Sequence, residues 1–173
     1  MKGYRLALDP PAGPLALLGS DELERALAAS RGSPRKRIIL PFHRTLDDPL
    51  HRMLNAIQPG SYVHPHRHLS PPKSEAWIVL RGKLLFVSFE DDGRVEQTAV
   101  LAPSGVHFGV DLIPGRYHTI VALEPDTVIY EVKSGPYTQA TDKAFAPWAP
   151  AEGTPEADVY LAELEKLSSQ ARP

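Results

Sequence analysis

The sequence of 173 residues contains no cysteine. This absence excludes disulfide bonds, thiolate metal ligands and a cysteine nucleophile. Any metal site must therefore use histidine, carboxylate or water as its ligands.

Long apolar segments are also missing. No run approaches the roughly 18 apolar residues that a membrane span requires. The amino-terminal segment MKGYRLALDPPAGPLALLGS is broken by Asp9 and three prolines, so it has no continuous apolar core of the signal-peptide type. We expect a soluble, cytoplasmic protein with no membrane partner.

No charge of one sign dominates, since the formal net charge is −2. Such a balance provides no electrostatic reason to expect nucleic acid as a partner. The one locally basic segment, SPRKRIIL, runs directly into apolar residues and is typical of a solvated flank.

Short apolar segments separated by glycine and proline begin at Arg37 and continue to about residue 134. This pattern predicts an all-β sandwich or barrel. EAWIVLRG and KLLFVSFE, on either side of Gly82, are predicted to pair, and Asp92-Gly93 predicts a hairpin turn.

Helices are predicted at both ends of the chain. Residues 20–32 form a short helix with Ser20 as its cap, and residues 154–170 form a terminal helix with Thr154 as its cap and Pro155 at its first position. We therefore divide the chain into an arm with a helix (1–36), a barrel (37–140) and a helical tail (141–173).

The most informative stretch is GSYVHPHRHLSPPKSEAWIVLRG, in which His64, His66 and His68 occupy every second position. In an extended segment all three side chains point to the same side. Glu75 opens the next apolar segment, and His118 follows a distant Pro-Gly turn. Zinc, iron, manganese and nickel all accept imidazole and carboxylate ligands. The spacing predicts a divalent metal site but leaves open which two of the three histidines bind.

These residues resemble the two motifs of the cupin superfamily. In the first motif, five residues separate Gly60 from His66, and His68, Glu75 and Gly82 come after it. Six residues lie between His68 and Glu75, where the motif has three or four. The second motif is similar to the segment from Gly109 through Pro114-Gly115 to His118, although Ala122 stands where the motif has asparagine. The resemblance implies a metal held by His66, His68, Glu75 and His118, with His64 as the alternative ligand.

Longer phrases resemble the WbuC-type cupins, namely FHRTLDDPLHRMLNAIQPGSYVHPHRH, IPGRYHTIVALEPDTVIYEVKSGPY and TDKAFAPWAPAE. The resemblance implies a double-stranded β-helix, or jelly-roll (cupin) barrel, with one metal in its mouth. It also implies an association with bacterial surface polysaccharides. We expect a homodimer, partly from the superfamily resemblance.

Four further residues are candidates for contacts around the metal. Tyr62 is predicted on the strand face of the histidines, Tyr117 adjoins His118, and Arg81 has the same strand parity as Glu75. Glu131 alternates with apolar neighbours and faces either solvent, the default for a charge, or the barrel interior, where a metal-bound histidine or an arginine could pair with it.

Three functions are compatible with this set. The first is a metal-dependent enzyme acting on a small molecule, such as a sugar or sugar nucleotide. The second is a metal-independent sugar isomerase or epimerase with a histidine base and a tyrosine acid. The third is a non-catalytic cupin that binds or senses a small ligand.

Overall fold

The computed structural model describes residues 4–169 and residue 171. Ten strands form two five-stranded antiparallel sheets, which confirms the predicted all-β architecture. The strands are β1 (Arg37–Pro41), β2 (Leu50–Ile57), β3 (His66–Arg67), β4 (Glu75–Arg81), β5 (Leu84–Phe89), β6 (Val95–Leu101), β7 (Gly109–Leu112), β8 (Tyr117–Ala122), β9 (Thr127–Ser134) and β10 (Ala144–Phe145). The first sheet has the order β1-β2-β9-β4-β7, and the second has the order β10-β3-β8-β5-β6.

The predicted pairing of β4 with β5 is wrong, because the two strands lie in different sheets. A register shift between Val79 and Arg81 bends the end of β4. Gly82 follows with φ of 76° and lies so close to Thr127 that an added Cβ would be 2.4 Å from its Oγ1. The chain therefore turns from one sheet to the other at Gly82. The predicted hairpin at Asp92-Gly93 does form and joins β5 to β6.

The barrel interior is divided into two regions. Side chains alternate along each strand, so every second residue of both sheets points inward. One region, which we call the apolar end, is a cluster of buried hydrophobic residues from both sheets: Ile57, Trp77, Val79, Leu84, Phe86, Leu101, Ala122 and Ile129. The other region, the polar end, is formed by inward residues of β2, β3, β4, β8 and β9: Asn55, His66, Glu75, His118, Glu131 and Lys133.

Two helices cover the outer faces of the sheets. Helix α1 (Ser20–Gly32) buries Ala26 and Leu27 against the first sheet. The predicted Ser20 cap is wrong, because Ser20 is the first helical residue, Gly19 is the capping residue, and no side chain caps this end. Helix α2 (Pro155–Lys166) covers the second sheet and continues as a 3₁₀ turn over Leu167–Ser169. Its predicted cap is confirmed, since the Ala157 amide donates to Thr154 Oγ1 at 3.3 Å.

The carboxy-terminal region also contributes a strand to the barrel. Strand β10 pairs antiparallel with β3, so that Phe145 lies opposite His66 and Ala144 opposite Arg67. The division of the chain at residues 36 and 140 stays a prediction. Within the described residues, no helix is both long and apolar enough to cross a membrane.

Candidate metal centre

Four buried side chains meet at the polar end. His66 lies on β3 and His118 directly opposite on β8, while His68 follows β3 and Glu75 opens β4. Their ligand atoms all lie within 4.8 Å of one another, and each residue is at most 5% exposed. The cluster therefore joins the two sheets and can hold a metal ion.

Each imidazole is oriented by a backbone carbonyl. Nδ1 of all three histidines lies against such an oxygen: His66 against His64 at 2.9 Å, His118 against Arg116 at 2.9 Å, and His68 against Asp142. When Nδ1 donates its proton in these bonds, Nε2 carries the free lone pair. Metal-binding histidines are commonly oriented in this way.

Three ligand atoms that face the interior lack hydrogen-bond partners within the part of the chain that the structure describes. His68 Nε2, His118 Nε2 and Glu75 Oε1 are buried without a hydrogen-bond partner among the described residues. His68 Nε2 and Glu75 Oε1 are in direct contact. When His68 carries its proton on Nδ1, these two atoms face each other as electron-pair donors, an arrangement that a cation between them stabilises. Three imidazoles and one carboxylate are a donor set that divalent transition metals accept, so the residues present fit a metal.

The protonation states suit metal binding. Burial lowers the pKa of His66 well below its usual value and that of His118 to about 4, so both rings are neutral at pH 7. For Glu75, burial alone would raise the pKa. The contact with His68 and the positive charge of Lys133 outweigh that effect and lower the pKa to about 2. Neutral imidazoles and an ionised carboxylate are the forms that bind metals.

Asp142 supports the cluster from outside. Its backbone oxygen contacts His68, while its carboxylate accepts from Lys73 Nζ at 2.7 Å and from Lys133 Nζ at 3.1 Å. Lys73 also donates to the Pro136 carbonyl at 2.5 Å. Sequence reasoning missed this carboxylate, which is 74 positions from His68. The only signal was its place in the phrase TDKAFAPWAPAE.

His64 lies beside the cluster and outside it. Its ring stacks on Phe145 with centroids 4.7 Å apart, and its Nε2 lies 3.3 Å from the Ala146 carbonyl oxygen. Its own carbonyl orients His66. The four clustered ligands are thus those of the motif register, and the alternative ligand is not among them.

Tyr62, Tyr117 and Arg81 lie away from the four clustered residues. Both tyrosines belong to the cluster between the second sheet and α2. The Tyr62 hydroxyl donates to the Pro150 carbonyl at 2.8 Å, and the Arg67 guanidinium lies 4.2 Å above the Tyr117 ring.

Arg81 is directed outward by the register shift at the end of β4, which reverses its parity relative to Glu75. Its guanidinium donates to Glu24 Oε1 on α1 at 2.9 Å. None of the three candidates therefore reaches the metal cluster.

Glu131 faces the barrel interior instead of solvent. Asn55 Nδ2 donates to its carboxylate at 2.8 Å, and Lys133 Nζ lies 4.0 Å away. Burial raises the pKa of Glu131, and the nearby charge of Glu75 adds to this effect. Glu131 alternates with apolar neighbours on β9. This alternation does not show whether the face that carries Glu131 is solvated or buried.

Comparisons with known proteins identify the fold. A family model described as a domain of unknown function, DUF6016, matches residues 18–101, a little under half of the chain. No curated protein matches the sequence.

Among solved structures, the capsular polysaccharide assembling protein CapF from Staphylococcus aureus has a TM-score of 0.51 and 19% identity, over 62% of this chain and 29% of that chain. CapF with the inhibitor 3-isopropenyl-tropolone has a TM-score of 0.52 and 22% identity, over 62% of this chain and 31% of that one. The cupin domain of Cnp3 from Schizosaccharomyces pombe has a TM-score of 0.44 and 12% identity, over 57% and 64%. The match thus spans less than a third of the CapF chains. The fold shared with CapF and the two antiparallel sheets confirm the predicted jelly-roll (cupin) barrel with a helix at each end.

Proposed function

We propose that this protein is a WbuC-type cupin that binds one divalent transition metal and acts on a small molecule. The metal ligands in this proposal are His66, His68, Glu75 and His118. One observation carries it: three ligand atoms are buried, unpartnered among the described residues, and directed at one point. Leaving such atoms without a partner costs about 1–3 kcal/mol each, and a bound cation removes that cost.

A divalent ion at this position would supply Lewis acidity toward a carbonyl or phosphoryl oxygen of the substrate. The protein's contribution is to hold the ligands ready. The carbonyl groups behind His66, His68 and His118 keep the rings oriented, and burial keeps the His66 and His118 rings neutral. The apolar end closes the interior on the other side and limits the entry of water.

We infer a sugar or sugar nucleotide as the substrate class. Two observations support this part of the proposal. The long phrases of the sequence resemble WbuC-type cupins, which are associated with surface polysaccharides. The barrel also shares its fold with a protein named for capsular polysaccharide assembly.

The metal-independent isomerase is less well supported by the geometry. It needs a tyrosine acid beside a histidine base, and both tyrosines that were candidates lie on the outer face of the second sheet. A non-catalytic sensor would bind its ligand without converting it, whereas an enzyme would turn it over. Metal-loaded protein that converts none of a panel of sugar nucleotides and takes up no dioxygen would favour the sensor.

Metal analysis of protein purified without a histidine tag tests the metal centre. After reconstitution with zinc, iron, manganese or nickel, we expect about one ion per chain with at least one of these metals. His118→Ala should lower the content below about 0.2, whereas His107→Ala, which removes an exposed imidazole, should not. A wild-type content below about 0.2 with all four metals would contradict the proposal.

The homodimer is also part of the proposal. Its support is a set of exposed apolar side chains near strand β7, where Val106, Phe108 and Ile113 are 75%, 57% and 65% exposed. Light scattering coupled to size-exclusion chromatography measures the mass directly, and a mass of 19.0 kDa would contradict a dimer.

A further inference from the structure

Lys143 lies next to the metal cluster in the strand pattern. It directly precedes β10, two residues before Phe145, and Phe145 pairs with His66. Because side chains alternate along an extended chain, Lys143 belongs to the same side as Phe145 and His66. Lys143 keeps exposed surface, so a ligand from solvent can reach it.

Two other lysines near the metal cluster already have an ion-pair partner. Lys73 and Lys133 both contact the Asp142 carboxylate. Lys143 forms no ion pair with any residue that the structure describes. Loss of hydration next to the barrel wall lowers the pKa of Lys143 to about 8 although part of the side chain stays exposed, and the charge of Lys133 adds to this effect. The Lys143 charge in turn contributes, after burial, to the lowered pKa of His66, so the ammonium is within electrostatic reach of the cluster.

Trp77 provides a second, independent observation. It is 3% exposed, and its Nε1–H has no acceptor among the described residues. Its ring centroid lies 5.4 Å from that of His118. A buried donor without a partner costs about 1–3 kcal/mol, so a bound hydrogen-bond acceptor near the cluster would be favoured.

The charge balance of the polar end also favours an anion. Three lysines lie in or beside the polar end and are matched by the same number of carboxylates: the residues are Lys73, Lys133, Lys143, Glu75, Glu131 and Asp142. A divalent cation therefore leaves positive charge in excess. Uncompensated charge in a protein interior is costly and is usually paired.

We propose that the metal centre binds a small oxyanion, a carboxylate or a phosphate group, whose oxygens meet the metal and the Lys143 ammonium. This inference rests on the proposed metal centre and narrows its substrate class to anionic molecules. Lys143 then selects for charge, because an ammonium offers three donors and no acceptor to a ligand.

Calorimetric titration of the zinc-loaded protein tests the ligand class with three probes. Malonate carries two carboxylates, inorganic phosphate carries the alternative oxyanion, and malonamide is the neutral counterpart of malonate. We expect binding of malonate or phosphate and no measurable binding of malonamide, and the tighter anion identifies the preferred group. Equal binding of malonamide, or of the anion to metal-free protein, would overturn the proposal.

A matched pair of lysine variants tests the residue. Lys143→Gln should weaken binding of the preferred anion by about tenfold or more, since a hydrogen bond to a charged group contributes about 1.5–3 kcal/mol. Lys83→Gln, which removes a partly exposed lysine paired with Glu124, should change the affinity less than about twofold, within the usual range of surface substitutions.

Zinc content is measured before and after each titration. An unchanged zinc content in Lys143→Gln with undiminished anion affinity would overturn the role of Lys143 while the metal centre stands. A wild-type protein that takes up no zinc, iron, manganese or nickel would overturn the proposed function, and this inference with it.

Discussion

The two ends of the barrel interior are built by the same strands and have opposite chemistry. Strand β9 provides Ile129 to the apolar end and Lys133 to the polar end, and β8 likewise provides Ala122 and His118. Apart from the Trp77 Nε1–H, the side chains of the apolar end need only be removed from water. The polar end is complete only where each charge and each lone pair has a partner. The comparison indicates that stability and binding are concentrated in different halves of one core.

Removal of Asp142 should have the largest effect on the polar end. Asp142→Ala leaves Lys73 and Lys133 buried without their shared carboxylate, and breaking such a network costs about 4 kcal/mol. Urea denaturation of metal-free protein measures the change. Asp91→Ala, which removes a carboxylate that is 84% exposed, is the matched control and should cost less than about 1 kcal/mol. Similar losses for both variants would mean that the buried network contributes little.

Truncation at the apolar end should lower stability without affecting metal binding. Leu84 is fully buried in the apolar cluster, and Leu84→Ala should lower the free energy of unfolding by about 3 kcal/mol. The metal content of the folded variant should equal that of the wild type. A loss of metal in the folded variant would show that the two ends are not independent.

His68→Ala and His64→Ala compare a clustered histidine with its neighbour. We expect His68→Ala to weaken metal affinity by at least about 100-fold, more than the 10- to 100-fold typical for supporting residues around a metal. His64→Ala should change it less, because His64 acts on His66 only through its backbone carbonyl. Competition with a chelator measures both affinities. The reverse order would assign the metal to His64 and His66.

Acid should destabilise the folded protein through a second pair of histidines, outside the metal cluster. His43 and His51 are buried and stacked with ring centroids 4.0 Å apart, and burial lowers the pKa of both below 6.5. Below pH 6.5 the unfolded chain therefore binds more protons than the folded chain, and the free energy of unfolding falls as the pH decreases.

Urea titrations of metal-free protein between pH 7 and pH 5.5 measure this slope. It should be reduced in His51→Gln and unchanged in His107→Gln, whose imidazole is exposed in the wild type. An unchanged slope in His51→Gln would exclude His51 as a source of the acid sensitivity.

Arg81→Ala should have the smallest effect. Arg81 is on the outer surface, half exposed and paired with Glu24, and such surface pairs contribute about 0–1 kcal/mol. Metal content and anion affinity should stay at wild-type values. A loss of anion binding in this variant would show that Arg81 belongs to the metal site, as its strand parity with Glu75 suggested.

The sequence predicted much of this core because strand alternation is local. Alternation of apolar residues indicated the strands, and the spacing of His66 and His68 placed both on one face. His118 was proposed from its place after a Pro-Gly turn, but its position opposite His66 could not be predicted, since it lies on another strand. Tyr62 was misplaced because the strand that forms around the histidines, β3, is only two residues long and does not include Tyr62.

By itself, the sequence determined most of the segments that become strands, where Asp92-Gly93 turns, and that imidazoles two positions apart share a side. These features depend on the backbone geometry of a few consecutive residues. Only the tertiary structure decided that β4 and β5 join different sheets, that Arg81 faces outward, and that Asp142 and Lys143 return to β3. A single register shift reverses a strand's faces, and contacts between residues 74 positions apart depend on packing rather than on local pattern.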